Sequence, residues 1–150
     1  MESEPLQGNE QTSDASLTQK ILAELIGTAF LVFIVTGTIV FQIGYYAVYA
    51  AFVLCSMIYV FGRISGGHFN PAVTIPMFLR HKITLMDCIY YIIAQISGGF
   101  IGSILVGLCN RVSFKYMGAT YVPNDDGKGF FSAFLIEVIL TFGLVFVIFA

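Results

Sequence analysis

Ser65-Gly66-Gly67-His68-Phe69-Asn70-Pro71-Ala72-Val73-Thr74 lies inside an otherwise apolar sequence. It carries polar residues, two glycines and a proline, a composition that interrupts a continuous membrane helix. Asn70 is a favoured N-cap, and Pro71 suits the first helical position, where a missing N–H costs nothing. The run from Asn70 to Leu79 holds ten residues. That is about 15 Å of helix, half of a hydrocarbon core about 30 Å thick. The stretch reads as a loop that dips into a membrane, turns into a half-length helix and returns to the side it left. The start of that helix is expected to place unpaired N–H groups and a positive dipole end near the midplane.

Composition supports a membrane setting. Of 150 residues, 57% are hydrophobic and 11% charged, whereas soluble domains carry about 25% charged residues. Mean hydropathy is +0.86. Net charge is −2 with no basic tract, which argues against nucleic-acid binding. Cys55, Cys88 and Cys109 lack metal-ligand spacing and read as small core residues, so no metal or cofactor is implied. Residues 1–19 contain Glu2, Glu4, Glu10 and Asp14 and no basic residue. They do not resemble a signal peptide and read as a disordered cytoplasmic tail.

Four spans follow, at 21–43, 45–62, 85–109 and 129–150. Gly44 divides the first two, and Arg63 to Arg80 forms the re-entrant loop and half-helix. Residues 110–128, with Pro123-Asn124-Asp125-Asp126-Gly127, form an extracellular connector. Lys20, Arg63, Arg80 and Lys82 share one face of the membrane, and Arg111, Lys115 and Lys128 share the other. This bias places the N-terminus in the cytoplasm. Ala150 closes an apolar run with no polar flank, so the chain reads as half of a larger fold.

An internal repeat points the same way. Glu24-Leu-Ile-Gly-Thr28-Ala-Phe-Leu-Val32-Phe aligns without gaps with Glu137-Val-Ile-Leu-Thr141-Phe-Gly-Leu-Val145-Phe, at an offset of 113. Three crossings separate the two starts, so the second copy is inverted. Inverted repeats around a broken helix are typical of membrane transport folds.

Glu24 and Glu137 are carboxylates in apolar spans and should face the protein interior. Each is expected to accept N–H groups from a re-entrant loop. Proton relay and, for Glu24 beside Lys20, simple snorkelling at the helix end are the other readings. Asn70, once its oxygen caps the half-helix, has its NH₂ free as a donor to whatever fills a pore; a plain N-cap without a pore is the alternative. Gly66, Gly67 and His68 could offer a ladder of carbonyl acceptors along a water path. His68 has no nearby His or Cys and reads as a hydrogen-bonding loop residue. Gln95 reads either as a partner of the loop backbone or as an interhelical hydrogen bond. Gly98 and Gly102 form a GxxxG for close helix packing.

These residues resemble the aquaporins, the major intrinsic protein family. Ser65 to Thr74 is similar to their first asparagine–proline–alanine loop, Asn70-Pro71-Ala72 being the motif itself. Ala23-Glu24-Leu-Ile-Gly-Thr28 resembles their first helix, Tyr91-Ile-Ile-Ala-Gln95-Ile-Ser-Gly-Gly99 their third, and Glu137 with Thr141 their fourth. The match covers about residues 20–150. It implies an all-α membrane protein, an aquaporin-like inverted repeat of transmembrane helices with a re-entrant half-helix, here the first repeat plus most of the fourth helix. It further implies that complete protomers assemble as homotetramers in the lipid bilayer, each with its own pore. Leu31 and Leu54 would line the apolar wall near Asn70. The second-helix position of the selectivity filter would fall on Ala50, where most water and glycerol channels carry an aromatic residue; Tyr49 and Phe52 are close enough for a shifted register. The second Asn-Pro-Ala, the filter arginine and the last two helices are not in this sequence.

The expected function is passive, single-file water permeation with exclusion of protons and ions at the midplane. The 150-residue chain is not expected to conduct alone. A channel for glycerol or other small neutral solutes is one alternative. An ion- or proton-coupled secondary transporter is another, and a truncated, non-conducting assembly partner a third. No nucleophile–base arrangement supports an enzyme.

Overall fold

The computed structural model of the protein describes residues 15–110 and 128–150. The expected tail up to residue 14 and the connector between 111 and 127 lie outside the described residues. The described residues form five α-helices.

The first helix, α1 (Leu17–Val40), begins with a capping box. Gln19 N–H donates to Ser16 Oγ at 3.3 Å, and Ser16 N–H donates back to Gln19 Oε1 at 2.8 Å. Two of the helix's orphan donors are thereby satisfied. The helix starts four residues before the expected Ile21, because Ser-x-x-Gln is a start signal in its own right. It also stops short of the expected Ile43. Gln42, Gly44 and Tyr45 all take positive φ (52°, 77° and 48°), so the reversal occupies several residues rather than Gly44 alone.

Helix α2 (Tyr46–Ser65) runs three residues past the expected Gly62. Its C-terminal glycine is Gly66, at φ 92°, whose N–H donates to the Gly62 carbonyl. The irregular part of the re-entrant segment is therefore only Gly66 to Asn70. Helix α3 (Pro71–Leu79) has nine residues, about 13 Å. Asn70 stands outside it as the N-cap. Pro76 lies inside this short helix. It deprives the Ala72 carbonyl of its usual donor four residues on.

Helix α4 (Leu85–Asn110) begins on a second box, in which Asp87 N–H donates to Thr84 Oγ1 at 3.0 Å and the Thr84 hydroxyl donates to Asp87 Oδ2 at 2.9 Å. Helix α5 (Lys128–Phe149) closes the described chain. Four of the five helices are long and apolar enough to cross a membrane by length and composition; α3 is the short one.

The α1–α4 crossing brings backbone close to backbone, and two glycines make it possible. A Cβ on Gly98 would lie 2.4 Å from the Leu25 carbonyl oxygen, and one on Gly102 would lie 2.5 Å from that of Ala29. Both clashes are with backbone, so no rotamer change relieves them. Helix α2 packs on α1, and α3 packs on α4. Helix α5 packs on α3, with the Arg80 guanidinium 5.8 Å over the Phe149 ring. The buried apolar core gathers around the re-entrant loop, from Ala23 and Phe69 to Tyr91 and Ala94. Cys88 belongs to it, but Cys55 and Cys109 are exposed, contrary to the expectation that all three are core residues.

Candidate functional site

The re-entrant loop is held by one buried carboxylate. Glu24 is 0% exposed. Its Oε1 accepts the Ser65 hydroxyl at 2.6 Å and the His68 N–H at 3.0 Å. Its Oε2 accepts the Phe69 N–H at 2.6 Å and Gln95 Nε2 at 2.8 Å. A buried carboxylate is costly unless its oxygens are satisfied, and charge-assisted bonds of this length do so. Lys20, one turn earlier, pairs with Asp87 at 3.9 Å. Glu24 is therefore an internal anchor and not a snorkelling group at the helix end.

A second tier surrounds that anchor. Gln95, 2% exposed, donates through Nε2 to both Glu24 and Thr74 Oγ1, each at 2.8 Å. It bridges α1, α3 and α4 through side chains; the expected alternative of a bond to loop backbone is not what forms. The Tyr91 hydroxyl donates to the Ser65 carbonyl at 2.8 Å, and the Thr28 hydroxyl donates to the Phe69 carbonyl at 3.3 Å. His68 Nδ1 lies 3.1 Å from Thr74 Oγ1.

Phe69 is the most constrained residue of the loop. Its φ is 50°, an unusual value for a residue with a Cβ. Its N–H and carbonyl are bound by Glu24 and Thr28, and its ring fills the notch above Gly27. A Cβ on Gly27 would sit 2.1 Å from that ring. Phe61 packs edge-on to the ring with centroids 6.3 Å apart. The loop's unusual backbone is thus fixed from three sides.

These bonds leave a definite set of polar groups over. The Ser65 carbonyl is taken by Tyr91 and the Phe69 carbonyl by Thr28. Between them, the carbonyls of Gly66, Gly67 and His68 accept no hydrogen bond from any described residue. At the helix start, Asn70 Oδ1 accepts the Ala72 N–H at 2.9 Å. The N–H groups of Val73 and Thr74 both donate to the Asn70 carbonyl at 3.0 Å. The expected unpaired N–H groups are therefore internally satisfied. What this helix start still offers is the dipole and the Asn70 NH₂, which has no partner among the described residues.

The remaining expected residues lie on other elements. Leu31 is half-buried on α1. Ala50 and Leu54 share with Met57 and Phe61 the less exposed face of α2, at spacings of four, three and four. Ala50 stands about 22 Å along α2 from Ser65, well away from the loop. Glu137 is exposed on α5 and joins none of the Glu24 bonds. The roles of Ser65, Thr28, Thr74 and Tyr91 were not assigned from the sequence. Their signal was available as polar atoms at intervals along apolar spans, each needing a partner.

The profile of the family described as Major intrinsic protein matches residues 11–150. Glycerol uptake facilitator protein-like 6 of Lactiplantibacillus plantarum is 42% identical over 137 residues, which is 87% of this chain and 62% of that protein. Nodulin-26 of Glycine max is 34% identical over 97% of this chain and 55% of its own length. Aquaporin Z of Photorhabdus laumondii is 37% identical over 83% of this chain and 62% of its own. The chain thus spans little more than half the length of these relatives. A family profile running from residue 11 to 150, over four apolar helices and a carboxylate-anchored re-entrant loop, identifies the chain as a multi-pass membrane protein of the major intrinsic protein family.

Proposed function

We propose that the chain supplies one repeat of a passive water channel, with the path running past the Gly66, Gly67 and His68 carbonyls and the Asn70 NH₂. The observation that carries this reading is the selective vacancy of those groups. The Ser65 and Phe69 carbonyls on either side and the Asn70 side-chain oxygen are bonded within the protein, while three successive carbonyls and one amide donor have no partner among the described residues and are left for a permeant. Exposed backbone at membrane depth is tolerated where it lines a water-filled cavity. Members of the family are channels and not enzymes.

In this reading an inverted partner repeat brings a second half-helix to meet Asn70-Pro71-Ala72. Two facing N-termini give a positive midplane that turns cations and protons away. Leu31 and Leu54 form the apolar wall and Ala50 the second-helix filter position. Glu137 anchors the partner loop as Glu24 anchors this one. The N-terminus is cytoplasmic, and complete protomers assemble as homotetramers. The apolar residues exposed on α2 and α5 support burial against further protein or lipid.

A second reading has two specific supports. Ala50 is small where a filter would narrow, and a glycerol uptake facilitator is among the relatives matched. Glycerol or another small neutral solute is the permeant in that case. The test is stopped-flow swelling of proteoliposomes holding the complete channel, with water and glycerol gradients in parallel. Rapid water flux, independent of any proton gradient and reduced in Asn70→Asp, supports the proposal. Water flux no faster than in protein-free vesicles overturns it, and faster glycerol than water entry selects the second reading. Flux that follows a proton gradient would instead identify a coupled transporter. Swelling driven by the 150-residue chain alone would remove the need for a partner repeat.

A further inference from the structure

Opposite the face of α2 that carries Ala50, Leu54, Met57 and Phe61 runs a second row, Tyr49, Phe52, Ser56 and Tyr59. Its spacings are three, four and three residues, the alternation by which one helix packs along another in a left-handed pair. All four residues are exposed, Phe52 at 70% and Tyr59 at 90%. The outward faces of the other helices are built differently. From Ile21 onward, the exposed residues of α1 are Leu22, Ile26, Phe30 and Ile39. Beyond its first two turns, α4 exposes hydrocarbon side chains and Cys109. Those surfaces suit lipid chains; a row with two hydroxyls does not.

Tyr59 carries the argument. It stands about 9 Å from the Ser65 end of α2 and about 20 Å from the Tyr46 end. Side chains on a helix lean toward its N-terminus, so Tyr59 leans away from the nearer end and does not snorkel there. Its hydroxyl has no partner among the described residues. A hydroxyl left alone in hydrocarbon is costly, and a hydrogen bond to another helix relieves that cost. The row itself supplies the acceptor. Ser56 gives its proton to the Phe52 carbonyl at 2.8 Å, which leaves its oxygen lone pairs open. Tyr59, one turn further on and leaning back, brings its hydroxyl to the depth of Ser56. When two copies of α2 pack in parallel, each Tyr59 hydroxyl meets an acceptor at its own depth on the other helix. Copies inserted in one orientation are parallel without further requirement, and lipid chains offer no such acceptor.

We propose that the Tyr49, Phe52, Ser56 and Tyr59 row is the contact face for a second copy of this chain, α2 against α2 in parallel around a shared rotation axis, with each Tyr59 hydroxyl donating to Ser56 of the other copy. The contact rests on the assembly of protomers proposed above and names its face. It does not rest on what permeates, since the row lies on the side of α2 away from Ala50 and Leu54.

The chain contains no tryptophan, so one introduced indole reports its own surroundings. Phe52→Trp on the row and Phe100→Trp on the outer face of α4 are compared in phosphatidylcholine vesicles with brominated acyl chains. Markedly weaker quenching of Phe52→Trp than of Phe100→Trp is expected; equal quenching shows that lipid covers the row and overturns the proposal. Sedimentation equilibrium of the 150-residue chain in density-matched detergent then reads the association itself. Reversible association is expected, weakened about threefold in Tyr59→Phe and unchanged in Phe100→Leu. A chain that stays monomeric at every concentration overturns the proposal, as does association indifferent to Tyr59→Phe or weakened equally by Phe100→Leu. The complete channel, run beside it, separates this contact from the assembly it rests on. Oligomers of the complete channel indifferent to Tyr59→Phe overturn the contact and leave the assembly standing, whereas a monomeric complete channel overturns both. Circular dichroism of each variant confirms that lost association is not lost fold.

Discussion

Glu24 has four donors and no cation among its hydrogen-bond partners, so its charge is balanced by dipoles alone. Replacing it with Gln keeps the shape but turns one acceptor into a donor that faces other donors. Hydrogen bonds to a charged group contribute about 1.5–3 kcal/mol each. Glu24→Gln should therefore lower stability by about 3 kcal/mol, read as a reduced melting temperature in detergent. Hydrogen exchange at the His68 and Phe69 amides should accelerate in the same variant, and protection equal to the parent protein would show that the carboxylate does not hold the loop. Tyr91→Phe removes only the bond to the Ser65 carbonyl and should cost about 1 kcal/mol. Phe69 offers a sharper test, because its ring occupies the space a Gly27 side chain would need. Gly27→Ala should destabilise strongly, and adding Phe69→Val should recover much of the loss. A double-mutant cycle with a coupling energy of about 1 kcal/mol or more is expected, and additive losses would mean that the two residues are not packed as lock and notch.

The α1–α4 crossing makes a distinction that small-residue spacing cannot. Gly98, Gly102, Gly99, Ser103 and Gly107 all sit at four-residue intervals on α4. The first two oppose α1 backbone at 2.4 and 2.5 Å, while a Cβ on Gly99 would meet only Val32 Cγ2 at 4.0 Å. Gly102→Val should therefore unfold or separate the helices, whereas Gly99→Ala and Gly143→Ala should melt like the parent protein. The presence of the four long helices was legible because hydropathy and length suffice for that. The half-helix was legible because Asn-Pro is a start signal and ten residues are too few to cross. Helix ends were less so. The Ser16–Gln19 box, the left-handed Gln42 and Tyr45, and the choice of Gly66 over Gly62 as the terminating glycine depend on backbone geometry that composition does not fix. Within the site, Asn70 as N-cap and Glu24 as acceptor of loop N–H groups could be read from residue type and depth. Which carbonyls are left unbonded could not, because that depends on Tyr91 and Thr28 reaching particular oxygens across the bundle.

At the scale of the molecule the two matching glutamates are in opposite circumstances. Glu24 is enclosed and satisfied; Glu137, at the equivalent point of the repeat, is exposed on an apolar helix that packs chiefly on α3. A carboxylate facing hydrocarbon is costly, so an inward-facing partner is expected for it. The repeat specifies the donors it would take: two backbone N–H groups, a hydroxyl and an amide, as around Glu24. In the permeation reading those donors belong to the inverted repeat, whose loop Glu137 holds. The consequence is a reversal between two preparations. In the 150-residue chain, Glu137→Leu should leave the melting temperature unchanged or raise it, while Glu24→Gln lowers it. In the complete channel both substitutions should lower stability and osmotic water permeability together, since each would loosen one of the two loops that meet at the midplane. Parallel thermal melts of the two preparations, with swelling rates for the second, read this out. A complete channel indifferent to Glu137→Leu would show that the repeat is a matter of helix composition only, and that the pore is not built from two equivalent anchors.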